Sequence, residues 1–193
     1  MPVAVLLLLG YLAGSVPFGV LLTRWLRGVD VRQSGSGNIG ATNVTRVAGK
    51  KLGAVVLLLD ALKGGLAVAL ALWLLPGAPR VHAAVGLAAF LGHVYPVWLK
   101  LNGGKGVATA LGVLAVLVPL AALGGAIVYA GLVAAWRVSS VGSLAGGVTA
   151  VAVAALTASA PEYAWLSALL FGLILWTHRS NIQRILRHTE RRF

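Results

Sequence analysis

The sequence predicts an all-α integral membrane protein, and three features of it do so. Of its 193 residues 59% are hydrophobic and only 10% charged, whereas water-soluble domains carry about a quarter of their residues as charges. The apolar residues come in runs of the length that crosses a bilayer, about 20 residues. The basic residues collect between those runs, with Lys63 an exception. A net charge of +12 would suggest nucleic acid for a soluble chain. Here the excess follows from topology, because cytoplasmic loops of membrane proteins gather Lys and Arg; no nucleic-acid partner is expected.

Residues 1–193 read as a single polytopic membrane domain. The first run, residues 3–23, has no basic segment ahead of it and reads as an uncleaved span. Further runs cover 53–75, 81–99 and 140–160, and a shorter one covers 163–178 against a basic tail. The segment 24–52 holds Arg24, Arg27, Arg32, Arg46, Lys50 and Lys51 against Asp30 alone, and the tail holds Arg179, Arg184, Arg187, Arg191 and Arg192. Both belong in the cytoplasm, which puts the N-terminus outside and the C-terminus inside. Residues 106–136 must then cross twice or not at all. As one helix they would measure about 46 Å, and Pro119 breaks them near the middle. The prediction is two short tilted spans meeting near Pro119, seven in all; the alternative is five full spans with this stretch re-entrant.

There is no cysteine, which removes disulfides, thiolate metal sites and a cysteine acyl-enzyme. No close carboxylate pair, nucleophilic triad or His/Asp/Glu ligand cluster is visible, so no metal is expected. Many hydrogen-bond donors and cations with few bases suit a site that binds phosphates and stabilises charge.

Three polar islands interrupt the apolar text, all assigned by the topology to the cytoplasmic face. The first runs from Ser34 to Asn43 and is followed by Arg46. Its glycines let backbone N–H groups face an anion; Ser36, Asn38, Thr42 and Asn43 supply neutral hydrogen bonds, and Arg46 can grip phosphate with two. On its own it reads equally as a flexible loop with a helix cap. Gly35 to Gly40 with Asp60 twenty residues on formally matches the dinucleotide fingerprint, but no strand precedes it and Asp60 lies in an apolar run.

The second island joins Gly92-His93-Val94-Tyr95-Pro96 to Asn102-Gly103-Gly104-Lys105-Gly106. Lys105 is a point charge for an anion, in a loop that lacks the first glycine and the hydroxyl residue of a Walker A motif. His93 reads as ligand-facing or as a hydrogen-bonded structural histidine; for His82 the structural reading is the better one. The third island places His178 and Asn181 three residues apart on one helix face. Arg179 and Arg184 fit as interface anchors there. Within a span, Asp60 and Lys63 form an opposite-charge pair that is either structural or catalytic.

Gly14-Ser15-Val16-Pro17-Phe18-Gly19, Ser36 to Asn43, Gly92 to Pro96, Gly103 to Gly106 and His178-Arg179-x-Asn181-Ile182-x-Arg184 together resemble the bacterial acyl-phosphate-dependent glycerol-3-phosphate acyltransferases, the PlsY family. Thr177 and Ser180 depart from it, standing where members often carry Arg and Glu. The resemblance spans essentially the whole chain. It implies transfer of a fatty acyl group from acyl phosphate to the 1-hydroxyl of sn-glycerol 3-phosphate, giving lysophosphatidic acid and phosphate without a cofactor. It implies the bacterial cytoplasmic membrane, and as partners membrane lipid and an acyl-phosphate synthase. By family match Ser36, Gly37, Thr42, Asn43, Gly104 and Lys105 hold the acyl-phosphate head, and Arg46, His178 and Asn181 orient glycerol 3-phosphate. Ser36, Arg46, Lys105, His178 and Asn181 are the expected catalytic set, with Asn38, His93 and Gly103 among the substrate-binding residues. The competing class is an organic-phosphate transporter, for which an internal repeat and a midplane site would be expected; no repeat is visible.

Overall fold

The computed structural model describes residues 2–193 and is helical wherever it is regular. Ten α-helices follow in order: α1 Val3–Ser15, α2 Phe18–Arg27, α3 Ala41–Ala48, α4 Lys50–Leu74, α5 Pro79–Val94, α6 Val107–Leu117, α7 Pro119–Trp136, α8 Ser139–Thr157, α9 Pro161–Thr177 and α10 Arg179–Leu186. Contacts divide the chain into two compact units, Met1–Gly112 and Val113–Phe193.

Proline sets many of the boundaries. The expected first span breaks at Val16, because Pro17 has no N–H to continue the ladder, and α2 restarts at Phe18. Pro79, Pro119 and Pro161 each stand in the first turn of their helix, where the missing N–H costs nothing. The expected break in 106–136 is found at Val118, whose extended φ of −142° ends α6 immediately before Pro119. Among the described residues, five helical segments are long and apolar enough to cross a membrane: Val3–Arg27, Lys50–Leu74, Pro79–Leu99, Pro119–Trp136 and Ser139–Thr157. The 11 residues of α6 reach only about 16 Å, half the hydrocarbon core. The 17 residues of α9 lie at the lower limit for a crossing.

Tryptophan marks the membrane independently. All six, Trp25, Trp73, Trp98, Trp136, Trp165 and Trp176, are 58% to 81% exposed and sit near helix ends. In water such rings would be buried; at helix ends in a bilayer they occupy the headgroup boundary.

In the first unit α1 packs along α5, and α4 packs on both. The α1–α5 approach depends on Gly14 and Gly92. A Cβ on Gly14 would collide with the Ala89 backbone, and one on Gly92 with the Tyr11 carbonyl and Ser15 nitrogen. Close backbone contact of this kind replaces the hydrophobic effect as the cohesive force between helices in lipid. One apolar cluster joins Leu6, Ala71 and Val85. Another, Val20, Val31, Ile39, Val44, Leu52 and Val56, lies under the first polar loop, and Leu99 from the second loop packs against it. In the second unit α7 lies along α8, and α8 packs on α9.

Candidate active site

The first polar loop is built on Asn43. That side chain is 1% exposed, and its Oδ1 accepts the Ser36 N–H at 2.8 Å. Its Nδ2 lies 2.9–3.0 Å from the carbonyls of Val31, Ser34 and Asn38. One amide thus ties together four points of a loop that has no regular ladder of its own. Gly35 and Gly37, at φ 64° and 72°, supply the left-handed turns the loop needs. Asn38 Oδ1 accepts the Gly40 N–H at 2.9 Å, which turns the chain into α3. Ser36 and Gly37 are left exposed at the tip, while Thr42 and Arg46 stand half-buried one turn apart on α3. Asn43 therefore supports this loop from beneath, whereas Ser36, Gly37, Thr42 and Arg46 are the residues able to meet an anion.

Two of the loop's other arginines are occupied. Arg24 and Arg32 reach the same Asp30 carboxylate at 2.6 and 2.7 Å, and Asp30 also accepts the Arg32 backbone N–H. The Arg32 side chain, with help from Arg24 and against burial, holds the Asp30 carboxyl far below its ordinary range. Arg46 is half-buried on α3.

The second loop follows α5. Gly103 N–H donates to Val94 O and Gly104 N–H to His93 O, each at 3.0 Å. Gly104 is buried and Lys105 is half-buried. His93 is 3% exposed; its ring faces Asp60 on one side and Gly104 on the other. His82 Nε2–H donates to Leu75 O, 2.9 Å away, the structural role expected for it.

The third island belongs to the second unit. His178 is buried at the junction of α9 and α10, with Nδ1 2.9 Å from Ile174 O. A carbonyl can only accept, so Nδ1 carries a proton in this bond. Asn181 Nδ2 donates to Glu190 Oε1 at 2.6 Å, Ser140 Oγ donates to the same oxygen at 3.1 Å, and Arg184 Nε donates to Glu190 Oε2 at 2.7 Å. Arg184, expected as an interface anchor, instead grips Glu190. Arg179 lies over the Trp176 ring at 4.9 Å, as an anchor should. The sequence reading passed over Glu190; the signal was its position as the one acid among the tail's five arginines.

Burial alone would raise the Glu190 carboxyl, but Arg184, Asn181 and Ser140 outweigh it and hold the group below its ordinary value of 4.5. A depressed carboxylate stabilises the fold fully above its unfolded value, and the contribution is lost as pH falls through the folded one. Glu190→Gln is accordingly expected to lower the thermal midpoint at pH 7 by the equivalent of about 1–3 kcal/mol. The mutant should also lose much of the wild-type decline as pH falls below the ordinary carboxyl value of 4.5, which a pH series of melting curves will read.

Comparison with known proteins identifies the family. The family described as glycerol-3-phosphate acyltransferase matches residues 4–188. A glycerol-3-phosphate acyltransferase of Myxococcus xanthus (strain DK1622) is 77% identical, over 97% of this chain and 98% of its own. One from Anaeromyxobacter sp. (strain Fw109-5) is 54% identical, over 97% and 95%. Two crystal structures of PlsY (YgiH), an integral membrane glycerol 3-phosphate acyltransferase, superpose with TM-scores of 0.94 for the glycerol 3-phosphate form and 0.92 for the lysophosphatidic acid form. Each is 39% identical and covers 99% of this chain and 95% of its own. By sequence and by fold alike, the chain belongs to the glycerol-3-phosphate acyltransferase family.

Proposed function

We propose that this protein transfers a fatty acyl group from acyl phosphate to the 1-hydroxyl of sn-glycerol 3-phosphate, at the cytoplasmic face of a bacterial inner membrane. The chain crosses that membrane seven times, N-terminus outside and C-terminus inside, with α6 and α9 as the short spans. The observation that carries the reading is the first loop: an exposed Ser36-Gly37 tip, fixed from below by Asn43 and leading to Arg46, in a member of this family. Both substrates are phosphates, and the two glycine loops with Arg46 and Lys105 supply two anion sites. Relatives captured with glycerol 3-phosphate and with lysophosphatidic acid support the acceptor and the product.

Ser36, Gly37, Thr42 and Lys105 hold the acyl-phosphate head, with Asn38, Asn43, Gly103 and Gly104 shaping the loops that present them. Arg46, His178 and Asn181 orient glycerol 3-phosphate, and Lys105 serves both substrates. The glycerol 1-hydroxyl oxygen attacks the acyl carbon, the bond to the phosphate oxygen breaks, and phosphate leaves. A phosphate oxygen of the substrates takes the hydroxyl proton. Holding the reactants aligned lowers the barrier by removing the entropic cost of their encounter, and Lys105 with the loop amides stabilises the charge that moves onto the leaving phosphate. The donor is supplied by an acyl-phosphate synthase working at the membrane surface.

The test is phosphate release from palmitoyl phosphate by purified protein in a lipidic medium, with and without glycerol 3-phosphate. Release that depends on glycerol 3-phosphate supports acyl transfer; folded protein that releases none makes transport of an organic phosphate the working hypothesis. His178→Ala addresses the proton. Its expected effect is a higher KM for glycerol 3-phosphate with an unaltered pH profile. Turnover abolished with both substrates still bound, and a changed profile in the residue, would make His178 the base.

A further inference from the structure

Helix α4 carries two charges inside an apolar segment, Asp60 and Lys63, exposed by only 2% and 7%. Lys63 Nζ lies 2.7 Å from Asp60 Oδ1 and donates to the carbonyl of Val16 at 2.8 Å. Charges at this depth are costly, and they are kept where they act on something. Neither is open to a soluble substrate. What Asp60 faces besides Lys63 is His93, with Nδ1 3.6 Å from Oδ1.

The other edge of that ring supports the second loop. A Cβ on Gly104 would collide with His93 Nε2, so the loop backbone lies directly on the imidazole. Gly104 N–H is bonded to the His93 carbonyl, and Gly103 N–H to that of Val94. At the far end of the chain of contacts, Val16 is the residue before the Pro17 break. Two residues beyond Pro17, Gly19 lies so close to the Ile39 carbonyl of the first loop that a side chain there would collide with it. Half-buried Val16 and buried Lys63, Asp60, His93 and Gly104 therefore form a continuous series reaching from the segment that backs the first loop to the loop that carries Lys105. All of it lies within the unit Met1–Gly112.

We infer that Asp60, Lys63 and His93 are positioning residues for acyl transfer, fixing the imidazole floor that sets where the Lys105 amine stands. The inference rests on the reading of Lys105 as a phosphate ligand. The Asp60 carboxylate favours the His93 orientation that turns an N–H towards it, and Lys63 holds the carboxylate in place. Gly103 and Gly104 have no side chains with which to anchor themselves, so a turned ring passes its displacement directly to Lys105. A shift of about 1 Å at a catalytic group can cost on the order of 10²-fold in rate.

The test separates positioning from cohesion. Asp60→Leu combined with Lys63→Met removes both charges at similar volume, an exchange that usually preserves or raises stability. With palmitoyl phosphate and glycerol 3-phosphate both saturating, kcat should fall on the order of 10²-fold while the thermal midpoint is kept. Wild-type kcat in the folded double variant overturns the inference. Should that variant not fold, His93→Gln is compared in the wild-type and Lys105→Ala backgrounds at raised enzyme concentration. Its penalty should shrink to within about twofold once Lys105 is gone; equal penalties in both backgrounds overturn the inference. Lys105→Ala with wild-type turnover removes the phosphate-ligand reading itself, whatever the network variants do.

Discussion

Lys105→Ala is expected to reduce phosphate release in the presence of glycerol 3-phosphate by about 10²–10³-fold, the usual cost of deleting one group that stabilises transition-state charge. Lys105 stands between two loop glycines and the start of α6, on a loop whose geometry is set by backbone bonds to His93 and Val94. Removing its side chain leaves those bonds intact. A melting curve that shows the variant folded assigns the loss to chemistry. Lys105→Arg is expected to recover only part of the rate, because a planar fork cannot place its charge where a compact ammonium stood. Steady-state kinetics with palmitoyl phosphate, beside a melting curve for each variant, check both statements. A folded Lys105→Ala protein with near-wild-type turnover would show that the charge is not used.

Asn43→Asp should be more damaging than Asn43→Ala, an inversion of the usual ranking by size. Alanine leaves the carbonyls of Val31, Ser34 and Asn38 and the N–H of Ser36 without their present partner. Each such group costs about 1–3 kcal/mol where water cannot replace the bond. The tip is exposed and hydrates, so the total is held to about 3–5 kcal/mol. Aspartate keeps the acceptor for Ser36 but has no N–H, and it turns a charged oxygen towards three carbonyl oxygens in a buried place. Both variants should raise KM for acyl phosphate and lower the thermal midpoint, aspartate by the larger amount. An aspartate variant that melts and turns over like the wild type would mean that the loop is held by something other than this amide.

Much of the plan was legible in the text of the chain. Apolar run length located the long helices, since a bilayer demands about 20 residues whatever the neighbours are. Pro119 marked a helix break because a missing N–H and a fixed φ are local properties. The Pro17 break was missed, as hydropathy passes smoothly through it and only the backbone geometry shows α1 and α2 as separate. The islands Ser34–Asn43 and Gly103–Gly106 stood out as polar text in an apolar chain. Their inner division of labour did not. Asn43 and Ser36 are both small polar residues seven positions apart, and nothing in the sequence says that one is the clamp and the other the exposed tip.

The charged residues draw the boundary most sharply. Composition by itself determined that the chain lives in a membrane, where its basic loops lie, and which residue types were available for a phosphate site. Whether a given charge is free for that site was decided only by the fold. Arg24 and Arg32 share the Asp30 carboxylate, Arg184 is paired with Glu190, and Lys63 with Asp60. Glu190 meets Asn181 and Arg184 only because the tail folds back after α10, and Asp60 meets His93 only because α4 packs on α5. Hydropathy and helix breaking act within a few residues along the chain. An ion pair depends on distances of a few ångströms between segments that the sequence keeps far apart, and those distances exist only once the helices have packed.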